Sequence, residues 1–232
     1  MKYDLSVVIP FYNEEDNVKD VILLHSNLLK KHKINYEIIA INNGSRDKTG
    51  EILDKLRNDR VKVVTVHKNI GYGNGLLQGL KHAKGEVVGW TGGDNEIPAT
   101  ALLSVYKKLI KENLDICKVT RTAREYNFYR KFVSASYNYF VCPLIFGGIS
   151  RDINGYPKLM KRGCYESLKL RALDSFIDTE LLVKARKKNF KVGEVQSIYS
   201  KRKKGKSNVK FYIVLEFIKN IILFKLTKKF DN

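Results

Sequence analysis

Short β-branched runs alternate with stretches of helical periodicity from the start of this chain, and few folds satisfy that alternation. Leu5 to Ile9 is an apolar run stopped by Pro10. Asn13, Glu14 and Glu15 then open a stretch whose Val18, Val21, Ile22, Leu24 and Leu28 fall on one helical face. The pattern recurs with Tyr36 to Ile41, stopped by Asn42-Asn43-Gly44-Ser45, before Thr49, Ile52, Leu53 and Leu56 at helical spacing. A third strand is expected at Val61 to Val66, a turn at Gly71, Gly73 and Gly75, a helix through Leu76, Leu77, Leu80 and Ala83, and a fourth strand at Val87 to Trp90. Strands joined through crossover helices run parallel, because the crossover returns the chain to the end of the sheet where the previous strand began. The expected class is α/β, a mostly parallel sheet flanked by helices.

In such a sheet ligands bind beyond the carboxyl ends of the strands. Three polar sets fall there: Pro10 to Glu14, Asn42 to Ser45, and the loop Thr91-Gly-Gly-Asp-Asn-Glu-Ile-Pro98. Asp94 and Glu96 in that loop can turn toward one hard cation, Mg²⁺ or Mn²⁺, of the kind that accompanies a nucleoside diphosphate. The same residues also suit a plain surface turn. Gly71, Gly73 and Gly75 let backbone amides approach a pyrophosphate, but their spacing is neither the dinucleotide fingerprint nor a P-loop.

The chain has 232 residues, 44% of them hydrophobic, enough for one large core. Cys117, Cys142 and Cys164 are too few and too scattered for a disulfide framework, so a reducing, cytoplasmic setting is expected. The amino terminus turns strand-like at once, without the pattern of a secretory signal. A net charge of +19 draws the surface toward phosphates, anionic lipid or nucleic acid. The excess is densest from Lys201 to Lys206, where a solvated loop is the simplest reading and where no nucleic-acid-binding motif is found.

The second half is less regular. Asp115 to Val119 is expected as a strand ending at Arg121, Glu125 to Phe146 as an aromatic helical stretch, and Ser150 to Pro157 as a loop. A helix from Phe176 to Lys188 carries Asp178 and Glu180 in its first turn, where carboxylates also suit the helix dipole. Val192 to Tyr199 makes the last strand.

Several ordered segments together resemble the family 2 glycosyltransferases, particularly the branch similar to dolichol- and polyprenyl-phosphate sugar transferases. They are Val7-Val-Ile-Pro-Phe-Tyr-Asn-Glu14, Asn43-Gly-Ser-Arg-Asp-Lys-Thr49, Asn69-Ile-Gly71, the loop at 91 to 98, Arg121, Asp152 with Asn154-Gly155, and Arg202-Lys-Lys-Gly-Lys-Ser207. The resemblance implies a Rossmann-like GT-A domain over residues 1 to 207. It implies a nucleotide-sugar site at Pro10, Tyr12, Glu14, Asn42, Asn43, Gly44, Asn69, Gly71 and Asp94, with a divalent ion on Asp94 and Glu96. Two departures stand out. Asn42 occupies a position where the family usually has Asp, and Gly92 stands where the first acid of the metal motif is expected. Fewer charged ligands lower divalent-ion affinity.

The resemblance also places a general base at Asp178, with Glu180 close by, for transfer onto a sugar hydroxyl. A lipid phosphate acceptor is already an anion and needs no base. Arg121, Asp152, Arg202, Lys204 and Ser207 are then the expected acceptor and phosphate residues, Arg offering phosphate a planar fork. Residues 208 to 232 form a separate segment. From Phe211 to Leu226 they are apolar except for Lys225 and a thin polar stripe at Glu216, Lys219 and Asn220, and the suggestion is an amphipathic helix lying at a membrane surface. The expectation is an inverting transfer from a nucleotide sugar to a polyprenyl phosphate by an enzyme peripheral to the cytoplasmic face of a membrane, with a homo-oligomer possible. A saccharide hydroxyl as acceptor is the alternative, followed by a noncatalytic basic binding module.

Overall fold

A computed structural model describes residues 3 to 124 and 152 to 199. Seven strands form one sheet in the order β3-β2-β1-β4-β6-β5-β7. They are β1 (Leu5–Phe11), β2 (Tyr36–Asn43), β3 (Val61–Val66), β4 (Val87–Trp90), β5 (Ile116–Arg124), β6 (Lys158–Lys161) and β7 (Val192–Tyr199). Strands β1 to β4 are mutually parallel, and β5 pairs in parallel with β7. Strand β6 runs antiparallel between β4 and β5. The mostly parallel α/β sheet expected from the alternation is therefore present, with one reversed strand in its middle.

Among the described residues six helices cover the sheet: α1 (Val18–Lys31), α2 (Thr49–Leu56), α3 (Tyr72–Leu80), α4 (Ala99–Lys111), α5 (Arg162–Leu168) and α6 (Ile177–Lys187). Period-two alternation within the strands sorts the core into two layers. Val7, Ile9, Ile38 and Ala40 join Val18, Ile22, Leu53, Leu102 and Leu109 on one face. Val8, Ile39, Ile41, Val88 and Trp90 join Leu76, Leu80, Leu168, Ile177 and Leu181 on the other. Strands buried on both faces read as continuous apolar runs, which is why β1 and β2 were legible.

Three elements differ from the sequence expectation. Helix α3 begins at Tyr72, so Gly73 and Gly75 lie within it rather than in a free turn. Helix α4 and the pair β6–α5 were not anticipated; Lys-Leu-Met-Lys in β6 has no apolar alternation to announce a strand. The expected aromatic helix at Glu125 to Phe146, the boundary at residues 207 and 208 and the segment from Phe211 to Leu226 lie outside the described residues. Among the described residues no helix is long and apolar enough to cross a membrane.

Pro10 shows how the fold prepares its rim. A proline in a central strand removes a ladder donor. Here β1 pairs with β4 only as far as Val8 opposite Trp90, so Pro10 lies beyond that ladder while still in register with Ile41 of β2. The strand order reverses between β1 and β4, and a reversal of this kind is where open α/β sheets bind ligands, outside the carboxyl ends of the strands.

Candidate active site

The loops after β1 and β2 are stitched into one wall. Asn13 N–H donates to Ser45 Oγ at 3.1 Å, Glu14 N–H to Thr49 Oγ1 at 2.8 Å and Glu15 N–H to Asp47 Oδ2 at 3.1 Å. In return Arg46 N–H donates to Asn13 Oδ1 at 2.9 Å and Lys48 N–H to Glu15 Oε2 at 3.0 Å. Asn13 adopts a left-handed backbone, with φ of 54°, which asparagine tolerates better than most residues. Burial works against the charge of Asp47, but bonds from the Thr49 hydroxyl and from the Thr49 and Glu15 amides hold its carboxyl below the usual range. The run from Ser45 to Thr49 is thus the fastener that fixes Tyr12 and Glu14 at the rim. Glu14 is buried and accepts from Asn17 Nδ2 at 2.7 Å.

Of the other nucleotide-site candidates, Asn42 accepts the Ser45 N–H at 3.1 Å through Oδ1, and Asn43 donates to the Gly71 carbonyl at 3.3 Å. Gly44 has φ of 76° and lies against the backbone of Asn69, whose Oδ1 accepts the Gly71 N–H at 3.0 Å. The Gly71 turn is packed against a second segment. A Cβ at Gly71 would lie 2.2 Å from the Leu173 carbonyl oxygen, and one at Gly73 would lie 2.3 Å from that of Ala172. Asn74 N–H donates to Leu173 O at 2.8 Å. These glycines admit the 172–174 backbone, a close approach between two chain segments that no side chain at 71 or 73 would allow.

The loop after β4 delivers Asp94. Gly93 lies flat on Pro10 and Phe11, where a Cβ would come within 2.6 Å of both. Gly92 lies under the ring of Tyr156, 2.4 Å from where its Cβ would stand. Asp94 and Glu96 are half-buried. Tyr156 Oη donates to Asp94, 3.1 Å from Oδ1 and 3.0 Å from Oδ2. Burial and then the Asp94 charge push the Tyr156 phenol well above its ordinary range, so it stays a donor at neutral pH.

Tyr156 is held from the far side of the sheet. Arg121 Nε and Nη2 grip Asp152 at 2.6 and 2.5 Å, and its N–H adds a third bond at 3.0 Å. Burial works against the Arg121 charge, but the carboxylate outweighs it and raises the guanidinium above its usual range. Two N–H groups expected to hold an acceptor phosphate are therefore spent on Asp152, and the pair fixes the loop that carries Tyr156. Tyr199 closes the cluster. Its ring lies edge-on to Tyr156 at 5.2 Å, its hydroxyl donates to the Tyr156 carbonyl at 2.8 Å, and Arg121 stacks over it at 5.1 Å.

Two buried lysines stand opposite each other in the β5–β6 ladder, Lys118 and Lys158. Lys158 Nζ donates to Asp178 Oδ1 at 2.6 Å and lies 6.0 Å from the centre of the Trp90 ring. Burial lowers the Lys158 ammonium, and Asp178 opposes that shift. Lys118 donates to the Asp152 carbonyl at 2.7 Å and pairs with Glu194 at 3.3 Å; burial lowers it to about 8 despite Glu194. Glu180 is fully buried and accepts from the backbone of Arg171 and Ala172 and from Lys184 at 2.8 Å. Expected beside the catalytic base, it instead clamps the segment that covers Gly71 and Gly73.

The structure thus gathers Asp94, Asp178, Tyr72, Tyr156 and Tyr199 at one rim; the Tyr72 hydroxyl feels the charge of both aspartates. Buried Thr91 Oγ1 and Asn43 Oδ1 have no hydrogen-bond partner among the described residues there. Tyr156 and Lys158 were not picked out from the sequence, since one Tyr-Pro pair and one Lys in a polar run carry no periodic signal. Arg202, Lys204 and Ser207 lie outside the described residues.

Residues 6 to 168 match the family described as Glycosyl transferase family 2. A dolichol-phosphate mannosyltransferase of Pyrococcus furiosus is 29% identical over 231 residues, covering 94% of this chain and 62% of that protein. An uncharacterised glycosyltransferase of Synechocystis is 35% identical over 127 residues, 54% of this chain and 40% of that protein. This chain therefore spans about half the length of such relatives. Among solved structures, glucosyl-3-phosphoglycerate synthase of Mycobacterium tuberculosis, bound to Mn²⁺, UDP and glucosyl-3-phosphoglycerate, superposes with a TM-score of 0.74. The identity is 17%, over 96% of this chain and 80% of that one. TarS of S. aureus in complex with UDP-GlcNAc superposes at 0.56 with 19% identity, over 96% and 67%. At these identities the likeness is one of fold.

Proposed function

Because the chain belongs to glycosyl transferase family 2, we propose that it takes a sugar from a nucleotide donor held at this rim and passes it to a polyprenyl phosphate. The donor's nucleoside would lie on the stitched wall of Tyr12, Glu14 and Asn42, and its diphosphate toward Asp94. The unpartnered buried atoms of Thr91 and Asn43 suit a hydroxyl-rich ligand, since buried polar groups ordinarily have partners.

A divalent ion fits this reading with a short list of protein ligands. Among the described residues no three His, Cys, Asp or Glu side chains gather into a cage. Asp94 lies half-buried at the rim with Glu96 two residues on, and oxygens of the diphosphate would complete the shell, as hard cations accept. Such an ion neutralises charge on the departing diphosphate. The 91–94 loop holds Asp94 in place by its fit against Pro10 and Phe11.

The observation that carries the acceptor reading is the Lys158–Asp178 pair at 2.6 Å. A carboxylate oxygen already taken by an ammonium is poorly placed to remove a hydroxyl proton. A phosphate acceptor needs no such removal: its oxygen bonds to the anomeric carbon, the bond to the donor's phosphate breaks, and the nucleoside diphosphate leaves with the electron pair. The Pyrococcus relative's name and the net charge of +19 support the same acceptor class. We further place the catalytic domain at residues 1 to 207 and peripheral membrane association in residues 208 to 232.

Incubation with UDP-, GDP- and CMP-sugars, offered polyprenyl phosphate or saccharides, tests the reading. Radiolabel moving into the lipid fraction is the expected result. Product with saccharides alone, abolished in Asp178→Asn, refutes the lipid-phosphate acceptor.

A further inference from the structure

Gly92 stands where a first acid is expected, and the structure shows what occupies the vacated space. The Tyr156 ring lies over the Gly92 α-carbon, with Cε2, Cζ and Oη at 2.4, 2.7 and 2.8 Å from the position of a Cβ. No side chain fits there unless Tyr156 moves. The ring is fixed from behind by Tyr199 and by the loop that Arg121 and Asp152 anchor, so it does not yield easily. Its hydroxyl contacts both oxygens of Asp94 almost symmetrically, at 3.1 and 3.0 Å. These are the oxygens a cation would use.

Resting on the donor-site reading above, we propose that Tyr156 is a latch on Asp94. The hydroxyl holds the carboxylate while no nucleotide is bound and yields it only to a cation that arrives with a nucleoside diphosphate. Tyr156 is a positioning residue that acts through Asp94. With one acid replaced by glycine and the other held by a phenol, the site gives a lone cation little to bind. The diphosphate supplies the missing charge, so ion and nucleotide bind as a coupled pair. Linkage requires the coupling to be reciprocal: each raises the affinity for the other by the same factor.

Mn²⁺ binding to the full chain, followed by electron paramagnetic resonance of the free ion, separates the possibilities. Wild type should bind Mn²⁺ weakly alone and much more tightly with one of UDP, GDP or CDP. Tyr156→Phe keeps the ring over Gly92 and removes the hydroxyl from Asp94. It should raise nucleotide-free Mn²⁺ affinity about tenfold or more, the range of one hydrogen bond to a charged group, and shrink the coupling factor equally. Unchanged or weakened Mn²⁺ affinity in Tyr156→Phe, with wild-type coupling intact, overturns the latch and leaves the donor site standing. If no nucleotide enhances Mn²⁺ binding to wild type, or Asp94→Ala leaves the ternary complex unchanged, the donor-site reading falls and the latch with it. Gly92→Asp gives a second check. Alone it should lower the melting temperature by displacing Tyr156; with Tyr156→Ala it should bind Mn²⁺ without nucleotide more tightly than wild type. No gain in that double variant refutes the claim that Tyr156 fills the acid's place.

Discussion

The Lys158–Asp178 pair makes a prediction whose pH dependence can be worked out in advance. Asp178→Asn preserves shape and an acceptor for Lys158 Nζ but removes the countercharge from an ammonium with no solvent exposure. Breaking a buried pair on one side typically destabilises by about 3–5 kcal/mol. A lysine has an escape that limits the loss: it can shed its proton. From the unperturbed value of 10.5, that costs about 5 kcal/mol at pH 7 and about 2 kcal/mol at pH 9, at about 1.4 kcal/mol per pH unit. The sign follows from proton counting. Lys158 is depressed in the folded protein, so between its folded and unfolded values the unfolded chain binds more protons and stability rises with pH. Losing Asp178 depresses Lys158 further and widens that window downward. The penalty of Asp178→Asn should therefore be about 3–4 kcal/mol near pH 7, about 6–16 °C in melting temperature for a chain of this size, and should fall below about 2 kcal/mol at pH 9. Asp152→Asn is the comparison: its main partner Arg121 cannot deprotonate, and Asp152 ranks behind Asp178 among the charges acting on Lys158, so its penalty should change less with pH than that of Asp178→Asn. Urea melts of both variants from pH 6 to 9 provide the comparison. A penalty for Asp178→Asn that is flat or grows with pH would show that Lys158 is not the charge being stranded.

Gly71→Ala places a Cβ against the Leu173 carbonyl at a φ of 135° and should destabilise by about 2 kcal/mol or more, with faster proteolysis within residues 169 to 176; a melt within about 0.5 kcal/mol of wild type refutes that packing. Burial raises the thiols of Cys117 to about 11 and Cys164 to about 12, so peptides bearing them should resist alkylation at pH 8 until denaturant is added. Removal of residues 208 to 232 should abolish cosedimentation with anionic vesicles while nucleotide binding persists; vesicle binding that survives the deletion rules out the amphipathic segment as the anchor.

The parallel half of the sheet was legible because β1, β2 and β4 are buried on both faces and its helices repeat at 3.6 residues, two signals that need no long-range knowledge. Asp94 and the walls at residues 10 to 14 and 42 to 45 were legible for a related reason: parallel topology sends the residues after each strand to one rim. Local patterns did not show which carboxylates remain available there. Glu180 and Asp178 sit in the same first turn, yet Glu180 is spent on the 171–172 backbone and Asp178 on Lys158. Arg121 looked like a phosphate fork, and its partner Asp152 lies 31 positions away in sequence. Gly92 looked like a simple loss of a ligand. Its close contact with Tyr156 comes from β6 running antiparallel beside β4, a pairing of a four-residue strand with too little pattern to be recognised.

The central claim, that the rim formed by the loops after β1, β2 and β4 holds a nucleotide donor beside Asp94, is tested most directly by calorimetric titration with UDP, GDP and CDP in the presence of Mn²⁺. One nucleoside diphosphate should bind wild type, and Asp94→Asn should weaken that complex by tenfold or more without lowering the melting temperature of the ligand-free protein. Absence of binding by all three, or equal affinity in Asp94→Asn, would contradict it.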